Sequence, residues 1–426
     1  MRALWLNLKN NSARWGFLPL TILGIAVLFG RNRFWIGIWP ESGAAAQVGA
    51  YFLSIFAAGS AAWVAASVEL RGLSEQAMSA AIRPIKVELT RFSATLLWLI
   101  APYLVVSASA FVATAVTLFP QGWLSFLMYI LLGTALIVFG ASWGWLVGKL
   151  LSPLVAALCA ALSWFIGMSL LGSVTQLVRQ SGPPWIEVQS TPVILRLTVI
   201  LAFAAIVCAL PSRVARPVLF GQRVAVSVAA LVGVVAVHLT TVVADQRPPA
   251  AKPLCLQKTI EYCLWPEHAK YAPMIEAIDQ QIAMLPVDLP LPDRVVDYAL
   301  SGSTKWSDDR TAIEVPGKFD PEFDISEGSR WALARGVARA IMGTVFAECR
   351  PDAAPDPERR MEQMFAWLEW RLADSGGPDY RTNAPASLQT AWSTGRLAAA
   401  GKSDQDQGIW VSAIVADVKK HHCRAA

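Results

Sequence analysis

Residues 123–147 read WLSFLMYILLGTALIVFGASWGWLV, 25 consecutive positions without a charged side chain. A helix needs about 20 apolar residues to cross a hydrocarbon core, so this stretch alone points to a membrane-spanning segment. Working outward, six further segments have the same character: Trp15–Phe29, Ala44–Ala66, Ser93–Phe119, Leu151–Leu171, Pro192–Leu210 and Val224–Val243. The first is interrupted by Arg31 and Arg33, and its outer end is expected to continue through Phe34–Trp39. No small-x-small cleavage site follows it, so an uncleaved first span is expected rather than a signal peptide. Ahead of it, Met1–Arg14 mixes Leu4, Trp5, Leu6 and Leu8 with basic and amide residues, the pattern of a short interfacial helix.

Charge divides the chain in two. Of 426 residues only 16% are charged, against about 25% in an average soluble protein. Residues 1–245 hold 15 Lys+Arg and 6 Asp+Glu, whereas residues 246–426 hold 21 and 25. The basic excess therefore belongs to loops between spans and is no nucleic-acid footprint. Cytoplasmic loops of membrane proteins are enriched in Lys and Arg. With the N-terminus inside, eleven basic residues fall on inside segments and four on outside ones, Arg31, Arg33, Arg179 and Arg196. Seven spans then put residues 246–426 outside the cell membrane.

The expected architecture is an all-α membrane bundle over 1–245, a proline-rich linker over 246–253 (QRPPAAKP) and a soluble α+β domain over 254–426. Cys255, Cys263, Cys349 and Cys423 all fall in that last part. Four cysteines outside a cell read as two disulfides with three possible connectivities; the favoured one pairs Cys255 with Cys263 and Cys349 with Cys423. Within the domain, Cys255–Trp265 reads as a strand or hairpin, Glu267–Met284 as a helix, and Arg294–Leu300 and Thr311–Val315 as strands. Asp324 with Glu327 suggests a capping box opening the next helix. Helices from Asp356, Ser387 and Ser403 complete a helical second half.

Several chemistries lack their residues. Gly144-Trp-Leu-Val-Gly148-Lys149-Leu150 has neither the spacing nor the Ser/Thr of a phosphate loop. The span centres carry no Asp, Glu or Lys for an ion relay, and His238 stands alone. HExxH and paired CxxC are absent, and no cofactor, metal or catalytic residue is expected. Gly140, Gly144 and Gly148 share one helix face. They either allow close helix approach or reflect the ordinary glycine content of membrane helices. Trp265-Pro266-Glu267-His268 reads either as a recognition corner or as a structural turn with proline opening a helix.

Two segments carry a resemblance. Ala61-Ala62-Trp63, Arg71-Gly72 and Arg83-Pro84 resemble the second span and first cytoplasmic loop of a group of actinobacterial ABC-transporter permease-like membrane proteins. Cys255…Cys263-Leu264-Trp265-Pro266-Glu267-His268 is similar to the start of the extracytoplasmic domain in that group. This chain departs from the group's pattern at Val64, where an acid is expected, and over the plain run Ala77–Ile82. The resemblance implies a membrane subunit driven by a separately encoded ABC ATPase, working as a homo- or heterodimer in the lipid bilayer. The expected coupling element is the loop Glu69–Arg91, with Arg71, Arg83, Lys86 and Arg91 as contacts. The rival expectation is a sensor, immunity or envelope scaffold protein with an extracellular binding domain.

Overall fold

Prolines mark where the long helices start. A proline in the first turn loses no helix hydrogen bond, because the first N–H groups have no intrahelical partner. In the computed structural model, helices open on Trp39-Pro40, Pro84, Pro153 and Pro217. The structure describes the chain except residues 1, 31–32, 71–83, 118, 120–121, 172–175, 177, 180, 211–216, 299, 302–303, 307–311, 315–319, 326–327, 348, 350–354, 375–384 and 424–426. The chain divides into two compact units, Met1–Arg247 and Pro248–Ala426.

The first unit is helical. α1 (Arg2–Asn10) leads through a short 3-10 turn into α2 (Phe17–Gly30), followed by α3 (Trp39–Leu70), α4 (Pro84–Thr117), α5 (Trp123–Gly148), α6 (Pro153–Leu171), α7 (Ser190–Cys208) and α8 (Pro217–Thr240). Among the described residues, seven helices are long and apolar enough to cross a membrane. A short antiparallel pair, β1 (Ile186–Val188) with β2 (Ala244–Gln246), joins the segments before α7 and after α8.

Two expectations about this unit are corrected. Phe34–Trp39 does not prolong the first span: a 3-10 turn covers Arg33–Trp35, Gly37 takes φ 85°, and α3 already starts at Trp39. Only glycine adopts that left-handed backbone without steric cost. Glu69–Arg91 is not one loop. Both flanking helices run into it, leaving only 71–83 between them. Pro84, which would lose a hydrogen bond in a helix interior but loses none in the first turn, starts α4 early.

α3 is the spine against which α5 packs. Gly140, Gly144 and Gly148 on α5 face the backbone carbonyls of Ser54, Ala58 and Ala62 on α3. Both rows repeat every four residues, so one ridge of backbone beds into another. Alanines carry the seam on α3: Ala50, Ala57, Ala58, Ala61, Ala62 and Ala65 are all buried. Between apolar helices in lipid there is little hydrophobic drive, and close packing of small residues supplies the attraction. Of the two readings of these glycines, close approach is the one realised.

The second unit is α+β. A four-stranded sheet runs in the order β3 (Leu254–Gln257), β4 (Glu261–Leu264), β5 (Arg294–Asp297), β8 (Glu322–Phe323). β3 pairs antiparallel with β4, whereas β4–β5 and β5–β8 are parallel. The hairpin β6 (Thr304–Trp306) with β7 (Ala312–Glu314) stands apart. A 3-10 turn (Pro266–Tyr271) and α9 (Ala272–Ala283) make the β4–β5 crossover. α10 (Arg330–Val345), α11 (Pro355–Ala373), α12 (Ala386–Gly401) and α13 (Asp404–His422) complete the unit. Of the expected capping box, Asp324 precedes the helix by several residues and Glu327 lies outside the described residues. α10 begins at Arg330, where the Ser329 hydroxyl accepts from the Ala332 N–H at 3.2 Å.

Cys255 bonds to Cys263 and Cys349 to Cys423. The first pair sits directly opposite across β3 and β4. Their sequence separations are 8 and 74. Loop-closure entropy then ranks them, at about 2.5 and about 4.5 kcal/mol by the chain-entropy relation. Cys349→Ser is therefore expected to destabilise the unit by roughly 2 kcal/mol more than Cys255→Ser. Denaturant unfolding of the two variants side by side checks the order; equal losses would contradict it.

Candidate functional site

At one end of the helical unit an acid gathers two cations and an indole. Glu88 and Arg91 lie in the second turn of α4, three residues apart and so on one face. Trp145 and Lys149 lie four apart, at the end of α5 and just beyond it. Glu88 accepts from Arg91 at 3.0 Å, from Lys149 at 2.8 Å and from the Trp145 indole at 3.2 Å. The Arg91 guanidinium also donates to the Val64 carbonyl on α3 at 3.1 Å and lies over the Trp145 ring at 5.7 Å. Lys149 donates to the Leu210 carbonyl just past α7 at 2.8 Å, and Arg223 of α8 donates to Ala209 at 2.7 Å. Carbonyls at a helix C-terminus lack partners and attract cations. Five helices thus meet in one polar knot, whose side chains are 11–20% exposed across its two ion pairs. Glu88 is its centre, because it alone offers both oxygens.

Of the expected coupling residues, two fall within the described residues. Arg71 and Arg83 lie outside the described residues. Lys86 is exposed on the first turn of α4. Arg91 is inside the knot rather than in a loop. Glu88, Trp145 and Lys149 were not anticipated. An acid among the basic residues preceding an apolar run, three residues before an arginine, was the available signal.

Arg196, counted with the outside basic residues and lying near the end of the sixth apolar segment, sits in the second turn of α7 and is fully buried. It donates to the Thr241 hydroxyl and the His238 carbonyl, each at 3.0 Å, closing the end of α8. His238 is buried, hydrogen-bonded through Nδ1 to the Val234 carbonyl at 2.7 Å and stacked on Phe139.

In the second unit Trp265, Glu267 and His268 are buried, and Pro266 is half-buried. They therefore offer no outward recognition surface, and the corner is built as a turn. The His268 N–H donates to the Trp265 carbonyl at 2.8 Å, and the Trp265 indole donates to the Tyr298 carbonyl at 3.0 Å. His268 Nδ1 bonds to Asp297 Oδ2 at the carboxyl ends of the parallel strands β4 and β5. Both side chains are fully buried. Burial pushes the Asp297 carboxyl up from its ordinary value, and the adjacent His268 pulls it back. Burial likewise raises the Tyr262 hydroxyl.

Among the described residues one group could bring three metal-binding atoms together, Cys255, Glu261 and Cys263. Its two sulfurs are bonded to each other, so no thiolate is offered, and Glu261 is held by Arg294 at 2.7 Å. Compared with known proteins, the chain matches no family model, no curated protein and no solved structure.

Proposed function

We propose that this chain is the membrane subunit of an ABC-type transporter, driven by an ATPase on a separate chain. In this reading it lies in the cell membrane with its N-terminus cytoplasmic and residues 246–426 outside. The knot centred on Glu88 carries the proposal. α3 has 32 residues and α4 has 34, about 48 and 51 Å at 1.5 Å per residue, against a hydrocarbon core of about 30 Å. Two such helices form arms, and the knot bolts them to α5, α7 and α8. A push received near residues 71–83 would then pass to the bundle as rigid-body movement. The eleven-to-four distribution of basic residues read from the sequence supports a cytoplasmic position for this end, where an ATPase would act. No ionisable relay through the spans is required, since the partner supplies the energy.

A tagged wild-type chain in mild detergent should recover a stoichiometric ATPase. Reversing charge at Arg83 and Lys86 together should lower that recovery. Glu88→Gln should keep the partner but uncouple its ATP hydrolysis, because Lys149 and Arg91 lose the group that joins them. Its stability cost should be about 1–3 kcal/mol, below the figure for a fully buried pair because water reaches the knot. A cysteine at Ala283 in a Cys159→Ala background should react with an impermeant thiol reagent on intact cells. If the wild type recovers no ATPase, the sensor or scaffold reading takes over.

A further inference from the structure

The N-terminal helix is fastened to the bundle. The Trp98 indole of α4 donates to the Leu8 carbonyl at 3.0 Å, and the Asn11 amide donates to the Thr95 hydroxyl at 2.8 Å. Phe17 packs edge-on against Trp98. This fixes the junction of α1 and α2, and with it a pair of cations. Arg14 donates to the main-chain carbonyl of Lys9 and lies 4.8 Å from the centre of the Trp15 ring. Its guanidinium is therefore held between a backbone oxygen and an indole, with further N–H donors unspent. Lys9 is exposed at the end of α1, close to that arginine.

Around these cations the surface is apolar. Trp5, Leu6, Trp15, Leu18 and Ile22 are all exposed. Leu18 and Ile22 stand one turn apart on α2, in line below Trp15. A soluble acidic protein could meet the two charges but would leave this apolar track unmatched. A phospholipid matches both parts.

We propose that Lys9, Arg14 and Trp15 bind the headgroup of an anionic glycerophospholipid, with an acyl chain lying along Leu18 and Ile22. Arg14 presents forked donors to the phosphodiester oxygens, and Lys9 adds a point charge. Trp15 sits at headgroup depth, where amphipathic rings collect. Because α1 is tied to α4, the helix that carries Glu88, an occupied site would brace the arm bearing the knot. The inference rests on reading the seven apolar helices as crossing a membrane.

The test uses the full chain in neutral detergent, titrated with phosphatidylglycerol or phosphatidylcholine and read by native mass spectrometry. The wild type should retain one phosphatidylglycerol per chain in preference to phosphatidylcholine. Lys9→Gln with Arg14→Gln should weaken retention roughly 30-fold, at about 1 kcal/mol per basic residue, while gel filtration stays unchanged. Lys9→Arg should keep retention near wild type, and Lys86→Gln should not affect it. Equal retention by the double variant, or no preference between lipids, overturns the site. Competition by soluble glycerophosphate as effective as the lipid would overturn the acyl track. A chain that stays dispersed without detergent would instead sink the membrane reading itself.

Discussion

Gly144→Leu is expected to leave no folded membrane unit. A Cβ at residue 144 would land against the Ala58 carbonyl group, 2.7 Å from its carbon and 2.9 Å from the Ala58 Cα. Backbone cannot turn aside as a side-chain end can, so α3 and α5 must separate. The neighbours on the same face leave no slack: Cβ atoms would come 2.6 Å from the Ser54 carbonyl at Gly140 and 2.9 Å from the Ala62 Cα at Gly148. Packing contacts are the main attraction between apolar helices in lipid, and separation forfeits them along the whole seam. Gly144→Ala should already cost about 1–3 kcal/mol, the usual penalty for overpacking. Gly167 and Gly233 provide the control, since nothing lies within 4 Å of a Cβ at either. Leucine there should be tolerated. Yield and monodispersity in detergent, with a thermal midpoint, compare the four variants. A well-behaved Gly144→Leu would refute the seam.

His268→Ala should be among the most damaging single changes in the second unit. Removing one partner of this buried imidazole–carboxyl pair strands the other, at a cost of about 3–5 kcal/mol. Asp297 would remain fully buried, without the imidazole that pulls its carboxyl back down. The sign of the pH dependence follows. An acid whose folded value lies above its unfolded value of about 3.9 contributes stability below that unfolded value and loses it as pH rises through the folded one. The deficit of His268→Ala relative to wild type should therefore be smallest near pH 4 and grow towards pH 7, because the stranded carboxyl is tolerated only when protonated. Replacing both residues by leucine should recover part of the loss, since the buried charge is then gone. Denaturant unfolding of the full chain, followed through tail tryptophan fluorescence at both pH values, provides the measurement. A deficit independent of pH would show that His268 acts by packing alone.

What the candidate site owes to sequence and what to structure separates cleanly at Glu88. The apolar runs announced helices of membrane-spanning length because hydropathy needs only a sliding window and no knowledge of neighbours. The strand character around Cys255 and Cys263 was legible for the same reason, since alternation is local, whereas the pairing of two strands there was not singled out. Glu88 passed unremarked, because its three partners come from its own helix, from 57 residues away and from 61 residues away. At the Trp265 corner the composition left recognition and a structural turn both open, and it is Asp297, 29 residues on, that turns His268 inward.

The sequence by itself determined the number of apolar helices, the charge contrast between the two parts and the position of the cysteines, all properties of composition and local order. Only the tertiary structure decided that the glycines of α5 meet carbonyls of α3, that Glu88 joins helices far apart in the chain, and that His268 is buried. Those outcomes depend on which surfaces fold against each other. Close approach and desolvation are set by the partner as much as by the residue, and no window along the chain contains the partner.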